Sequence, residues 1–419
     1  MSRNRKQASA AAEGRCRGCG GILQQVLPLG QMPLANSLVD PRDFAQSQAR
    51  FPLTLTVCRS CSLVQIAETI DPELLFRHYV YLSSNSPAFV AHAADLVRRL
   101  IPKRGLDSTS LVIEIASNDG YLLQHYRGAG VGVLGIEPAE EIAEVARRRG
   151  INTETEFFSL DLAVRLRARG LLADIVHANN VLAHVADLRG FLAGIATILK
   201  PGGLAIVEFP YLLDLIDRLE FDTIYHEHLC YFALTPLKSL IAGAKLQLVD
   251  VERLSVHGGS LRLFIAHADA EAPGPAVARM LSDEERWGVR DPATYHRFAD
   301  NVRALAPRIR GFLAGLRQDG NAIAAYGASA KGATLLNYCG IGADLVDFVV
   351  DRSPWKQGLA MPGVRLPILA TEELLRRRPA YALLLAWNFA TEIAAQQREY
   401  LNSGGRLIVP VPEPHILTD

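Results

Sequence analysis

The chain has 419 residues, room for two or three domains rather than one. Lysine plus arginine and aspartate plus glutamate each number 44, so the formal net charge is zero; this excludes a nucleic-acid binder that works through bulk charge. No apolar stretch reaches the roughly 18 residues of a membrane span, so none is expected. The opening MSRNRKQASAAAEG is basic but lacks the apolar centre of an export signal, and a disordered lead-in is expected over residues 1–14. Six cysteines without an export signal imply a reducing, cytoplasmic setting, with thiols or metal ligands rather than disulfides.

The first motif is a pair of C-x-x-C knuckles, Cys16-Arg-Gly-Cys19 and Cys58-Arg-Ser-Cys61, with 38 residues between them. A C-x-x-C turn brings two sulfurs to about 2.3 Å from one tetrahedral ion. Four thiolates leave no open position, so the expected site is structural zinc; a redox pair is the competing reading. The strand-like FPLTLTVC between the knuckles suits a hairpin arm. Zinc compensates for the thin core of this first unit, expected over 1–72. Cys230 and Cys339 stand alone and read as small buried apolar residues.

A second unit is expected over 73–268. It opens with HYVYLSSNSPAFVAHAADL, where Tyr79, Tyr81 and Ser83 put aromatics beside small hydroxyls. That pairing suits a sugar face; a capping loop ahead of the helix is the equal alternative. LVIEIASNDGYLLQHY then reads as strand, small-residue turn and helix, and such a turn after a parallel strand forms a ligand crevice. Glu114, Ala116, Ser117, Asn118, Asp119 and Gly120 line it, and Glu137-Pro138 ends the next strand, where a carboxylate is placed to accept from a ribose diol. The dinucleotide pattern G-x-G-x-x-G is absent, and Ala116 and Asn118 stand where many methyltransferases have glycine. Acidic residues at both strand ends disfavour a phosphate and suit S-adenosylmethionine, which carries a sulfonium, an ammonium and a ribose. DIVHANN gives a further strand ending in Asn179 and Asn180, followed by His184, and LKPGG reads as a turn into the strand LAIVEFP.

Residues 221–232, FDTIYHEHLCYF, crowd Asp222, Tyr225, His226, Glu227, His228 and Cys230 between large apolar residues. On a strand His226, His228 and Cys230 would share one face and could bind a metal; an acid/base set and a polar surface loop are the alternatives. VHGGSLRLFIAH closes the second unit as a strand pair, and a third unit, expected over 269–419, opens with a helix of about 30 residues from DPATYHRF. AAYGASAKGATLLN then starts a second doubly wound α/β unit. Its small-residue loop holds Ser329 and Lys331 at a helix N-terminus, a geometry that suits a phosphate.

EIASNDGYLLQ, ANNVLAHV, FDTIYHEHLCYF, VHGGSLR and AAYGASAKGATLLN, with the paired C-x-x-C, resemble the nucleotide-sugar C-methyltransferases, three-domain S-adenosylmethionine-dependent enzymes of deoxysugar biosynthesis. The likeness runs from Cys16 to about Pro412. It implies an α/β fold with a zinc module, a Rossmann-like methyltransferase domain and a second Rossmann-like domain. It also implies a nucleoside-diphosphate 4-keto-deoxysugar substrate, typically thymidine-linked and methylated at C3. By the same resemblance Tyr225, Glu227 and His228 form the active site with His228 as base, His184 and Tyr79 lie near the sugar, and Tyr81 and Ser83 belong to a sugar-binding lid. Lys331 and Ser329 would meet the diphosphate, while Asp351 and Lys356 face the cleft or only pack their loop. A monomer without nucleic-acid or membrane partners is expected.

Chemistry explains the residue types. A ketone at C4 acidifies the C3 proton, so carbon becomes nucleophilic once a base removes it. An imidazole has the right pKa range, a carboxylate orients it or holds a hydroxyl, and a tyrosine donates to the enolate oxygen. Methylation of an oxygen or nitrogen is the second enzymatic reading, and a non-catalytic zinc and Rossmann scaffold the third.

Overall fold

The structure is a computed structural model that describes residues 14–76 and 82–418, apart from the side chain of His257. Tyr79, Tyr81 and nearly all of the expected lead-in fall outside the described residues.

The first sheet is built around the knuckles. β1 (Leu23–Met32), β2 (Phe51–Cys58) and β3 (Val64–Ile66) pair antiparallel, so FPLTLTVC is indeed a hairpin arm. Its fourth strand comes from far downstream: Cys230–Tyr231 pairs with Gln65 and Val64.

The second sheet follows the strand–helix alternation read from the sequence. It contains β4 (Leu111–Ile115), β5 (Gly132–Ile136), β6 (Thr153–Glu154), β7 (Ala173–Asn179) and β8 (Leu199–Pro210), all parallel. With Cys230–Tyr231 counted as β9, β10 (Leu246–Leu254) and β11 (Ser260–His267) add an antiparallel edge. The order β10-β11-β8-β7-β4-β5-β6 puts the topological switch between β4 and β7, where a ligand crevice opens at the strands' carboxyl ends. Two local expectations change. KPGG is no separate turn: the register jumps from Ala173↔Leu199 to Ile175↔Leu204, so these residues bulge out within β8. VHGGSLRLFIAH supplies one strand rather than two, because Val256–Gly258 turns and β11 pairs with the upstream β10.

Helix Pro292–Gln318 leads to the third sheet. β12 (Ile323–Tyr326), β13 (Val349–Val350), β14 (Ile368–Leu369), β15 (Tyr381–Leu384) and β16 (Arg406–Val409) are parallel, and β17 (His415–Ile416) returns antiparallel. The order β14-β13-β12-β15-β16-β17 has its switch between β12 and β15. One apolar cluster spans all three sheets, from Leu27 and Leu55 through Ile113 and Val207 to Ile323. It includes Phe221 and Leu229, so the HEH stretch is anchored at both ends in shared core.

Candidate active site

The four knuckle sulfurs converge. Their ligand atoms all lie within 4.8 Å of one another, with Cys16 to Cys61 at 3.6 Å and Cys19 to Cys58 at 3.4 Å. Tetrahedral ligation at about 2.3 Å needs sulfurs roughly 3.8 Å apart, so the set fits zinc. Backbone N–H groups of Gly18, Gly21 and Ser60 and the Gln65 amide point at the sulfurs, as thiolates require. Among the described residues this is the only such group of metal-ligating side chains. Cys230 and Cys339 are buried and outside it.

The turn expected to hold the cofactor lies at the switch of the second sheet. Ala116 (φ 55°) and Asn118 (φ 50°) take the left-handed backbone that glycine usually supplies, so the turn is made without the glycines. Gly135 underlies it: a Cβ there would come 2.5 Å from the Ser117 hydroxyl. Glu137 directly follows β5 and accepts N–H bonds from Asn118 and Ala139, both at 3.0 Å, so it braces the loop; Pro138 comes next. Burial pushes Glu137 up to about 7. Asp119 pairs with Arg149 at 2.9 Å and accepts from Ser84 at 2.5 Å, and Ser83 donates its N–H to Asn118. Glu114 lies beneath the loop, 1% exposed, its acidity suppressed first by burial and then by Asp119 and Glu137. Oxygens on Ser117, Asp119 and Asn179 are buried with no hydrogen-bond partner, which suits a polar cofactor. Asn180 (φ 55°) turns the chain away from β7 towards His184.

The stretch 221–228 is a turn and a loop, not a strand, so His226, His228 and Cys230 do not line one strand face. His228 donates from Nδ1 to the Thr223 carbonyl at 3.0 Å, which leaves Nε2 as an acceptor for the Tyr225 hydroxyl at 2.9 Å. His184 donates from Nδ1 to the Glu227 carbonyl at 2.7 Å, and the two imidazole rings are 5.0 Å apart. Burial holds His228 well below its ordinary pKa, and the neighbouring His184 adds to the effect; burial lowers His184 as well. Both rings are therefore neutral bases at pH 7. Burial pushes Glu227 up to about 7, against hydrogen bonds from Asn36. His226 faces away, donating to the Pro52 carbonyl at 2.9 Å.

The third sheet closes this loop from the other side. Helix Ala330–Tyr338 packs on the turn Phe221–Thr223, and Thr334 donates to the Ile224 carbonyl at 3.3 Å. Gly332 permits the helix to sit this close to β15, since a Cβ would lie 2.7 Å from that of Leu385. Asp222, fully buried, accepts from the Trp387 indole at 2.6 Å, and the Lys331 ammonium lies 4.7 Å above the same indole ring. Ser329 caps the helix through Gly332 N–H. Asp351 accepts from Ala328 N–H at 2.7 Å and Ser353 N–H at 2.8 Å, and Lys356 donates to the Ala328 carbonyl at 2.8 Å. Those two residues thus hold the Gly327–Ser329 loop. Asn36 and Trp387 escaped the sequence reading. Trp387 at a strand's carboxyl end was its one legible signal.

Three family descriptions match consecutive parts of the chain: "Putative zinc binding domain" over residues 16–76, "Methyltransferase domain" over 86–251 and "C-methyltransferase C-terminal domain" over 255–412. The chain belongs to the C-methyltransferase family so composed, a class of S-adenosylmethionine-dependent enzymes with a zinc module and two α/β units. Among individual proteins it is similar to the C-methyltransferase NovU of Streptomyces niveus, 40% identical over 405 residues that cover 96% of each chain. A ubiquinone biosynthesis O-methyltransferase of Chelativorans sp. (strain BNC1) is 30% identical over 97 residues, 23% of this chain and 38% of that protein. Among solved structures, magnesium protoporphyrin IX methyltransferase from Synechocystis PCC 6803 with bound SAH is 17% identical, covers 42% of this chain and 83% of its own, and has a TM-score of 0.35. Among the described residues no helix is long and apolar enough to cross a membrane.

Proposed function

We propose that this C-methyltransferase deprotonates C3 of a nucleoside-diphosphate 4-keto-deoxysugar, thymidine-linked, and methylates the resulting enolate carbon in deoxysugar biosynthesis. The observation that carries the reading is the tautomer of His228: its Nδ1–H is committed to Thr223, so Nε2 is a neutral lone pair facing the Tyr225 hydroxyl. When substrate displaces the tyrosine hydroxyl, Nε2 takes the C3 proton. The C–H electron pair becomes the C3–C4 double bond, and the carbonyl pair moves onto O4. The freed Tyr225 hydroxyl then donates to O4. S-adenosylmethionine supplies an electrophilic methyl on sulfur, and C3 takes it with loss of a neutral thioether. Glu227 accepts from a sugar hydroxyl, His184 backs the base, and Lys331 meets the diphosphate. With the donor at the β4–β7 switch and the nucleotide at the β12–β15 switch, the reacting carbon lies between them, shielded from reprotonation by water.

The test is donor-independent exchange. With thymidine-diphosphate 4-keto-6-deoxyglucose in D₂O and no S-adenosylmethionine, deuterium should enter C3 under enzyme catalysis. Absence of exchange, with methyl found on oxygen or nitrogen when the donor is added, refutes carbon chemistry.

A further inference from the structure

Of the four residues Tyr225–His228, the middle two are held from outside by the zinc module. His226 is tied to Pro52, next to the start of β2. Glu227, 3% exposed, is tied to Asn36, an exposed residue in the turn after β1. The Asn36 amide donates to both carboxylate oxygens, at 2.8 and 2.9 Å. A carboxylate has about four acceptor positions, so this grip leaves room for an incoming hydroxyl. The module is also fastened beneath the loop: Ile66 N–H bonds to the Leu229 carbonyl at 3.0 Å, and Arg17, inside the first knuckle, donates to the Ile66 carbonyl at 2.5 Å. A path of hydrogen bonds thus runs from the metal site to the end of the catalytic loop.

We propose that Asn36 is a positioning residue for methyl transfer, holding the Glu227 carboxylate towards the cleft so that it accepts from the substrate, and that the zinc module thereby contributes to the active site. The inference rests on the reading of Glu227 as a substrate contact. The Asn36 side chain reaches inward from an exposed turn to this buried carboxylate. Its hydrogen bonds favour the ionised carboxylate against the burial that pushes it up to about 7. His228 is already neutral in that range, so protonation of Glu227 contributes an acid limb to the rate profile, and that contribution is the one Asn36 moves.

The experiment compares full-length wild type, Asn36→Ala, Asn36→Asp and Glu227→Gln with S-adenosylmethionine and thymidine-diphosphate 4-keto-6-deoxyglucose. A lost hydrogen bond to a charged group corresponds to roughly a 10–100-fold fall in kcat near pH 7 for Asn36→Ala, with the acid limb moved up by about one unit. Zinc content and donor affinity should stay at wild-type values. Asn36→Asp should be inactive where both carboxyls are ionised and recover as the pH falls, because the pair can then share one proton. An Asn36→Ala profile that superimposes on wild type overturns the proposal. If Glu227→Gln is then inactive, the active-site reading survives; if Glu227→Gln is fully active, both fail.

Discussion

Replacing His228 by asparagine tests the base directly. Asparagine can still donate near the Thr223 carbonyl, as Nδ1 does at 3.0 Å, but has nothing at the position of Nε2. The stability cost is small. The Tyr225 hydroxyl loses one partner, and its half-exposed side chain can turn to water. The ring also leaves its neighbours, Tyr225 at 4.1 Å and His184 at 5.0 Å. Together these amount to about 1–2 kcal/mol, well inside the roughly 5–15 kcal/mol of a folded protein. The catalytic cost is larger: a general base contributes roughly 10²–10⁴-fold, or about 3–5 kcal/mol of barrier. C3 deuterium exchange followed by NMR should therefore fall by at least about 100-fold, while S-adenosylhomocysteine affinity by calorimetry changes by less than about threefold. Exchange within about threefold of wild type would remove His228 as the base.

Two further outcomes follow from the same geometry. Glu220 is 4% exposed, and burial raises it from 4.5 to about 7. Its contribution to stability is complete below the unfolded value and is lost as the pH rises through about 7. Glu220→Gln should thus be more stable than wild type by up to about 3 kcal/mol near pH 8, with the difference shrinking towards pH 4.5; a pH-independent difference in urea unfolding would refute the assignment. Stripping zinc with a chelator should loosen the sheet that carries β9 and abolish C3 exchange, while donor affinity persists, because the Ile115–Gly120 loop belongs to another sheet. Full exchange in stripped protein, with metal loss verified by atomic absorption, would separate the module from the site.

The zinc knuckles, the turn after β4 and the crowded HEH stretch were legible as local features: a ligand set, a strand–turn–helix and a run of titratable groups each lie within a few residues. The turn after β4 forms without those glycines, with Ala116 and Asn118 themselves at positive φ. The metal alternative for His226, His228 and Cys230 depended on assuming a strand. Core contacts at Phe221 and Leu229 instead bend the stretch into a turn and loop, and the rings part. The roles of Asp351 and Lys356 were open because a loop acid at a strand end can face a ligand or cap backbone; hydrogen bonds to Ala328 and Ser353 occupy them here.

Sequence alone determined which chemical groups exist and which lie on one local element, since a C-x-x-C turn or a strand-end loop is set by its own few dihedrals and side chains. Tertiary structure decided which distant groups meet. Asn36 and Glu227 are 191 residues apart, and Asp222 and Trp387 are 165 apart. No periodicity relates such positions. Packing three sheets around one apolar cluster brings them together, and it leaves the loop of His228 held by all three.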